Sequence, residues 1–410
     1  MTITLSVSPR FDERRLHHLC DTLEQKYIAS GRLPHLQLLI SADEQLLVRA
    51  TMGSGRQDGS PLADNALYRI ASMTKPITSV AFLILLERGQ IGLDTPVADI
   101  LPEFAQLNVA AETMSDGSFS LRPPASPMRM IDLLRHTSGL TYSFQQRSAI
   151  DQLYAERQLD TFQQKRSSDD YITALAEIPL EFSPGASWNY SVSTDVLGVV
   201  IERVSGESLD SFFERHIFGP LMMRDSFFQV PDDRIGRLTD AWMLDDTGEI
   251  SLYDRGAHSR WRLPQKSWSG GGGLVSTAHD YHRFCQMLLR GGELDGARLL
   301  SPKTVALMTA NHLPSGADLA SISQSMFSES TNEGIGFGLG VAVTVDPARS
   351  LLPGSAGEYY WGGLLSTTFF IDPVERIIAI LMTQVMPSSA FTIRRELKTL
   401  LYSSMIESRA

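Results

Sequence analysis

The stretch Ala71-Ser72-Met73-Thr74-Lys75-Pro76-Ile77 decides how the rest of this 410-residue chain is read. A serine hydroxyl is a weak nucleophile near neutrality and needs a general base beside it. Residues three apart share one face of a helix, so Ser72 and Lys75 become neighbours if the stretch is helical, while Met73 and Thr74 point elsewhere. Pro76 favours that reading, because proline lacks a backbone donor and is tolerated in a first helical turn. Ser72 then sits at a helix N-terminus, where amide groups and the positive end of the dipole favour developing negative charge. A lysine buried beneath a cleft is desolvated, which favours its neutral form and fits it to accept the hydroxyl proton. A lone Ser-x-x-Lys is a weak signal, and a solvated i,i+3 pair is the plain alternative. Lysine is scarce, however (Lys26, Lys75, Lys165, Lys266, Lys303, Lys398), and only Lys75 has a serine three residues before it. Arginine, which carries most of the basic charge, does not give up its proton. No Gly-x-Ser-x-Gly occurs, so a Ser-His-Asp triad on a nucleophile elbow has no support.

Outward from this stretch the apolar pattern changes character. His35 to Ile40 and Leu46 to Met52 are short apolar runs broken by Ser41-Ala42-Asp43-Glu44, which predicts a hairpin. Gly336 to Thr344, Thr367 to Ile371 and Ile377 to Thr383 have strand character, with Asp372-Pro373 turning the last two. Between Thr74 and about Ile217 the apolar residues recur at helical spacing, as in Ile77 to Leu86, Ile131 to Leu134 and Thr194 to Val204. Thr277-Ala278-His279-Asp280 has capping-box spacing, and Gly291-Gly292 is a natural stop, so a helix is expected between them. The pattern predicts an α/β (α+β) fold: an antiparallel sheet from the N- and C-terminal segments, flanked by helices, with an inserted helical lobe. The expected division is 1–85 with 265–410 as the sheet domain and 86–264 as the mainly helical insert, the active site lying in the cleft between them.

Composition narrows the classes. A net charge of −11 and the absence of any basic run argue against nucleic acid as a partner. The longest apolar run, Val80 to Leu86, is far short of a membrane span, and Met1 to Arg10 lacks a secretory h-region, so a cytoplasmic location is expected. Cys20 and Cys285 make no CxxC spacing and read as reduced core residues. Gly270 to Gly273 is not followed by the Lys-Ser/Thr of a phosphate-cradling loop and reads as a turn. His279 and His282 lack an HExxH context or an obvious third ligand, and no metal or organic cofactor is expected.

Five segments in order carry a family likeness. They are Ser72-Met73-Thr74-Lys75-Pro76, Leu133 to Thr141, Pro184-Gly185-Ala186-Ser187-Trp188-Asn189-Tyr190-Ser191, Ile217 to Asp225, and Trp361-Gly362-Gly363. Over nearly its whole length the chain resembles the serine β-lactamase-like superfamily: class C β-lactamases, D-alanyl-D-alanine carboxypeptidases, family VIII carboxylesterases and related acyltransferases. The resemblance implies a Ser-Lys-Tyr constellation, with Ser72 acylated, Lys75 and Tyr190 sharing the proton, and water releasing the acyl group. Which of the two is the base stays open, since a tyrosine with an unperturbed pKa of about 10 needs an adjacent ammonium or acts only as a relay. By motif alignment the oxyanion hole is formed by the backbone N–H groups of Ser72 and of Leu364, on the strand after Gly363. Trp361, Gly362, Gly363, Val192 and His136 fall at substrate-binding positions, the glycines leaving room for substrate against the strand edge. His136, ending a helix beside Ser138-Gly139, reads as structural rather than catalytic.

The departures bear on substrate. Trp361 stands where the β-lactamases and carboxypeptidases carry a lysine or histidine, and Val192 where they carry the asparagine of Tyr-x-Asn. Losing a charged and a neutral hydrogen bond forfeits about 2 to 4 kcal/mol of recognition, so anionic peptides and β-lactams are expected to be poor substrates. Trp-Gly-Gly is similar instead to the family VIII esterases, although Leu364-Leu365-Ser366-Thr367 is bulkier than is usual there. The expected function is hydrolysis of a small-molecule carboxylic ester. Acyl transfer to an alcohol, a β-lactamase or carboxypeptidase, and a non-turnover acyl-binding protein are its rivals.

Overall fold

Apolar alternation at the two ends of the chain produces a single eight-stranded sheet. In spatial order its strands are Thr2–Leu5, Gln45–Gly53, His35–Ala42, Ile377–Met382, Thr368–Asp372, Tyr359–Gly362, Ala342–Thr344 and Ile335–Phe337. Every neighbouring pair is antiparallel, and the N- and C-terminal halves join where His35–Ala42 lies along Ile377–Met382, Leu39 opposite Ile380. This computed structural model describes residues 2–6, 8–114, 118–162, 165–245, 247–324 and 332–409.

The central strands read as unbroken apolar runs because both faces are covered. Ile378, Ile380 and Met382 face a core shared with Tyr281, Phe284 and Leu288 of helix Ala278–Leu289. Ile377, Ala379 and Leu381 face a second core shared with Leu16, Leu19 and Leu23 of helix Glu13–Leu23 and with Leu397 and Leu401 of helix Ile393–Ser403. At roughly 1.5–3 kcal/mol for each large apolar side chain buried, the two faces together fix the register. The first hairpin turns through Asp43 and Glu44, both at positive φ (51° and 68°), as a tight two-residue turn requires. Helix Ala278–Leu289 is capped by Thr277, whose hydroxyl accepts the Asp280 N–H at 3.0 Å, and it stops before Gly291 at φ 74°.

Gly336 to Thr344, expected as one strand, is instead a hairpin of Ile335–Phe337 and Ala342–Thr344. Gly340, at φ 90°, makes the break, and a Cβ there would lie 2.1 Å from Ser79 Oγ, so the turn packs directly on the helix that follows Ser72.

That helix, Thr74–Glu87, is buried on all sides from Thr74 to Leu85 and packs against helix Ser193–Ser205. The interval between the two sheet-forming ends carries further helices, including Met130–Leu134, Ala149–Glu156 and Ser168–Ala176. It also carries the hairpin Val109–Thr113/Phe119–Arg122 and the strands Ala241–Leu244 and Ile250–Asp254, which join Val385–Met386. Cys20 and Cys285 are free and buried. Among the described residues no helix is long and apolar enough to cross a membrane.

Candidate active site

Ser72 lies in a 3₁₀ turn, Ala71–Met73, that runs into helix Thr74–Glu87. The chain enters this turn through Tyr68–Arg69, paired with Val275–Ser276, and Ile70 N–H donates to Leu274 O at 3.0 Å. Gln384 completes the clamp: its side chain accepts the Arg69 N–H and donates to the Arg69 carbonyl, both at 3.0 Å, in the manner of a strand partner. Ala71 is held at φ 44°, an uncommon conformation for a residue with a Cβ that costs about 1–2 kcal/mol. The residues between Ser72 and Lys75 are anchored away from the serine: Tyr281 OH donates to Met73 O at 2.9 Å, and Thr74 Oγ1 accepts the Leu274 N–H at 3.2 Å.

Lys75 is 1% exposed. Among the described residues its Nζ has three oxygen partners: Ser72 Oγ at 3.2 Å, Tyr142 OH at 3.1 Å and the Gly271 carbonyl at 2.7 Å. Among the described residues no carboxylate lies within ion-pair distance of it. The nearest acid in this network is one tyrosine away. Tyr142 OH faces Asp195 Oδ2 at 3.5 Å, and Asp195 Oδ1 accepts Ser269 Oγ at 2.5 Å and the Gly271 N–H at 3.0 Å. Burial, and then the Asp195 carboxylate and Tyr190, push the Tyr142 phenol well above its ordinary pKa, so it remains a neutral acceptor for Lys75 and donor toward Asp195. Burial also raises Asp195, against the attraction of Lys75 and the two hydrogen bonds.

The tyrosine hydroxyl that Lys75 hydrogen-bonds thus belongs to Tyr142, one residue beyond the segment that ends at Thr141. Tyr190 is placed beside it, with Lys75 Nζ 4.6 Å from its ring centroid. The Tyr190 ring is packed by His136 (4.9 Å between centroids), Tyr142 (5.2 Å) and Trp361 (5.4 Å). The glycine run forms the expected turn, and a physical demand accounts for Gly271. A Cβ there would sit 2.3 Å from Asp195 Oδ2, so only glycine lets the main chain meet both Lys75 and Asp195. Tyr142, Asp195 and Gly271 were not among the expected site residues, and the four consecutive glycines were a signal for Gly271 alone.

Ser72 opens onto a cavity of about 260 Å³. Tyr142, Phe144, Phe162, Trp188, Tyr190 and Trp361 make its wall aromatic, and Gly362, Gly363 and Leu364 line it too. Leu364 lies in the turn after strand Tyr359–Gly362, rather than on a strand as expected. The turn is closed by Gly363 N–H to Thr367 O (2.8 Å) and Ser366 N–H to Gly363 O (3.1 Å), bonds that use the neighbours of Leu364 and not its own N–H. The two glycines also have a different reason from the one expected. A Cβ on Gly362 would meet the Arg394 guanidinium at 2.7 Å, and one on Gly363 would meet Ile70 O at 2.5 Å. They admit protein atoms, and through Gly363 they bring the turn against the chain just before Ser72.

Val192 is fully buried in the core, and His136 is fully buried behind Tyr190, against Trp188 and Phe337; neither is among the residues lining the cavity. Burial, and then Lys75, lower the His136 pKa well below the usual value, so its ring is neutral, with Nδ1 3.2 Å from Ser191 Oγ. His279 is exposed while His282 is buried with Nε2 2.7 Å from Ser41 Oγ, so the pair does not converge on a common point.

Residues 20–402 match the Beta-lactamase family profile. The chain belongs to this family. It is 35% identical over 333 residues to an uncharacterized protein of Mycobacterium tuberculosis (strain CDC 1551 / Oshkosh), covering 80% of each chain. It is 31% identical over 381 residues to esterase EstB of Burkholderia gladioli, covering 88% of this chain and 89% of that one. Among solved structures, EstCE1, described as a hydrolase with promiscuous acyltransferase activity, superposes with a TM-score of 0.79 at 25% identity, covering 95% of this chain and 99% of that one. The sheet built from both chain ends with helices against it is therefore the β-lactamase/transpeptidase fold, and the chain is a serine hydrolase of the β-lactamase family with esterases and acyltransferases among its relatives.

Proposed function

We propose that this protein hydrolyses neutral carboxylic esters through an acyl-enzyme on Ser72, with Lys75 and Tyr190 as the proton-handling pair. The observation that carries this reading is the Lys75 Nζ, buried without a carboxylate partner among the described residues and 3.2 Å from the Oγ of Ser72, which lines an aromatic cavity. A neutral Lys75 has two N–H donors and one lone pair. The donors match Tyr142 OH and Gly271 O, and the lone pair is left for the Ser72 proton.

As Ser72 Oγ bonds to the ester carbonyl carbon, its proton passes to Lys75, and the carbonyl oxygen becomes an oxyanion received by the N–H groups of Ser72 and Leu364. Collapse breaks the bond to the alkoxide, which leaves as alcohol with the proton from Lys75, Tyr190 relaying it. Water then attacks the acyl carbon, gives a proton to the same amine, and displaces Ser72, which recovers it. Each oxyanion donor of this kind is typically worth about 3 kcal/mol.

The aromatic wall and Trp361 support a neutral, apolar acyl or alcohol group, and esterase EstB supports the ester bond as the target. Arg394, Arg395 and Lys398 also line the cavity; of these, Lys398 pairs with Glu358 at 2.5 Å, and Arg394 donates to main-chain carbonyls. Transfer to an alcohol acceptor is the second reading, favoured by EstCE1, whose description includes promiscuous acyltransferase activity.

Intact-mass measurement after incubation with a short-chain aryl ester, with and without an added alcohol, tests both. The wild-type protein should gain one acyl mass and lose it to acid, or to a new ester if transfer prevails. Ser72→Ala should gain none, and an undiminished adduct in that variant would rule out the nucleophile.

A further inference from the structure

We propose that Arg394 is a positioning residue for the oxyanion hole, holding the Gly363–Thr367 turn at the distance from Ser72 that the chemistry needs. The inference rests on the ester-hydrolase reading of the site.

Arg394 stands in the first turn of the C-terminal helix Ile393–Ser403, on the face of the sheet that carries the second core. Its guanidinium lies against Gly362, at the end of strand Tyr359–Gly362. Nη2 donates to Gly363 O at 2.8 Å and to Thr367 O at 3.0 Å. These are the two carbonyls that also close the turn, each already accepting a backbone N–H: Gly363 O from Ser366, Thr367 O from Gly363. One side-chain nitrogen therefore bridges both strands of the turn whose tip carries Leu364. The planar guanidinium occupies the space that a Cβ on Gly362 would need, 2.7 Å away, so glycine at 362 and arginine at 394 are two halves of one packing arrangement.

The geometry links this clamp to the nucleophile. Gly363 is pressed against Ile70 O, two residues before Ser72, and Thr367 Oγ1 lies 3.4 Å from the same carbonyl. If the turn retreats, the Leu364 N–H moves away from the Ser72 N–H, and the two donors no longer converge on one oxygen. An oxyanion hole acts by being fixed before charge develops, so the loss falls on the transition state more than on the bound ester. Arg394 itself touches neither Ser72 nor Lys75. Leu364 is the one partly exposed residue of an otherwise buried turn, and a charge-assisted double hydrogen bond from the guanidinium is a strong way to hold that turn in place.

Two variants separate the parts. Arg394→Met keeps the aliphatic stem and removes every donor, and Arg394→Lys keeps the charge and one donor nitrogen. Turnover of a short-chain aryl ester, expressed per molecule able to take up the acyl mass, should show kcat lower by roughly 10- to 100-fold in Arg394→Met with KM changed by less than about threefold. Arg394→Lys should fall between that variant and wild type. Lys26→Met, which removes the 2.6 Å ion pair to Glu396 on the same helix, loosens the helix without touching the turn and should leave kcat within about twofold of wild type. Hydrogen exchange supplies a readout that needs no substrate: amides of residues 363–367 should exchange faster in Arg394→Met than in wild type. Unchanged kcat, a rise in KM with kcat preserved, or unchanged exchange in 363–367 would each overturn the proposal. A wild-type protein that never takes up the acyl group, but whose 363–367 amides do loosen in Arg394→Met, would sink the ester-hydrolase reading and leave the clamp standing.

Discussion

Ser72 lies midway between two buried cations, and the difference in how each is held separates scaffold from chemistry. Arg69 is completely buried and meets its counter-charge directly: Nε donates to Asp254 at 2.8 Å, Nη2 reaches the same carboxylate, and Thr239 O and Ser259 Oγ take further donors. Lys75 is buried to the same degree but is surrounded by a hydroxyl, a phenol and a carbonyl, with Asp195 kept beyond Tyr142. An ion pair on Lys75 would fix its proton in place. Neutral acceptors satisfy its hydrogen bonds and leave that proton exchangeable. The permanently charged residue is the paired one, and the residue able to release a proton is the one left without a contact carboxylate.

The largest test of that comparison is to make the two alike. Lys75→Arg places a cation that cannot deprotonate beside Ser72, and ester hydrolysis should fall by roughly 10⁴-fold, with folding confirmed by an unchanged denaturation midpoint. A folded Lys75→Arg protein with near-normal kcat would mean that the lysine is electrostatic scaffold, like Arg69. Next in size is the converse change. Arg69→Met leaves Asp254 buried and uncompensated, and stability in urea should drop by about 3–5 kcal/mol. Turnover per folded molecule should change far less than stability, and an equal loss in both would show that Arg69 also sets the Ser72 turn.

The same contrast explains what the sequence made legible. Ser72-x-x-Lys75 is local, so helical spacing alone brings it together. The sheet announces itself through runs such as Ile377 to Thr383, whose two apolar faces need no partner to be recognised. Tyr142, Asp195, Gln384 and Arg394 are different. Each is a single polar residue whose partners lie tens to hundreds of positions away, as Gln384 does from Arg69, so no periodicity or spacing encodes the pairing. Gly362 and Gly363 were visible as glycines, but the atoms they make room for, Arg394 and Ile70, are supplied only by the tertiary fold. Gly336 to Thr344 misled for a related reason. Its composition is that of one strand, and the close approach to Ser79 that forces a turn at Gly340 is invisible until the helix is in place.

A smaller effect comes from a buried histidine far from the site's chemistry. His35 is fully buried against Tyr68 and Trp242, and neither ring nitrogen has a hydrogen bond among the described residues. Burial lowers its pKa from 6.5 to about 4. Between those values the unfolded chain holds the proton and the folded chain does not, so stability is full above pH 6.5 and is lost as pH falls toward 4. The upper bound is about 3 kcal/mol, at 1.36 kcal/mol for each pH unit of the window. Since buried carboxyls such as Glu358, raised by burial, act in the opposite direction, the quantity to measure is the difference between wild type and His35→Leu. The variant should show the shallower loss between pH 6.5 and 4, and parallel curves would mean that His35 is protonated in the folded protein.

The smallest expected effect asks whether the neutral shell around Lys75 takes part in the chemistry or only holds the amine. Tyr142→Phe removes one acceptor of Lys75 and the hydroxyl facing Asp195, while the ring stays stacked on Phe144 at 4.7 Å and near the lysine at 5.3 Å. One net hydrogen bond is worth about 0.5–1.5 kcal/mol, so kcat should fall by roughly tenfold at most. A loss as large as that of Lys75→Arg would make Tyr142 a participant in proton transfer, and the distinction between a paired structural cation and an unpaired working one would then have to include a tyrosine on the working side.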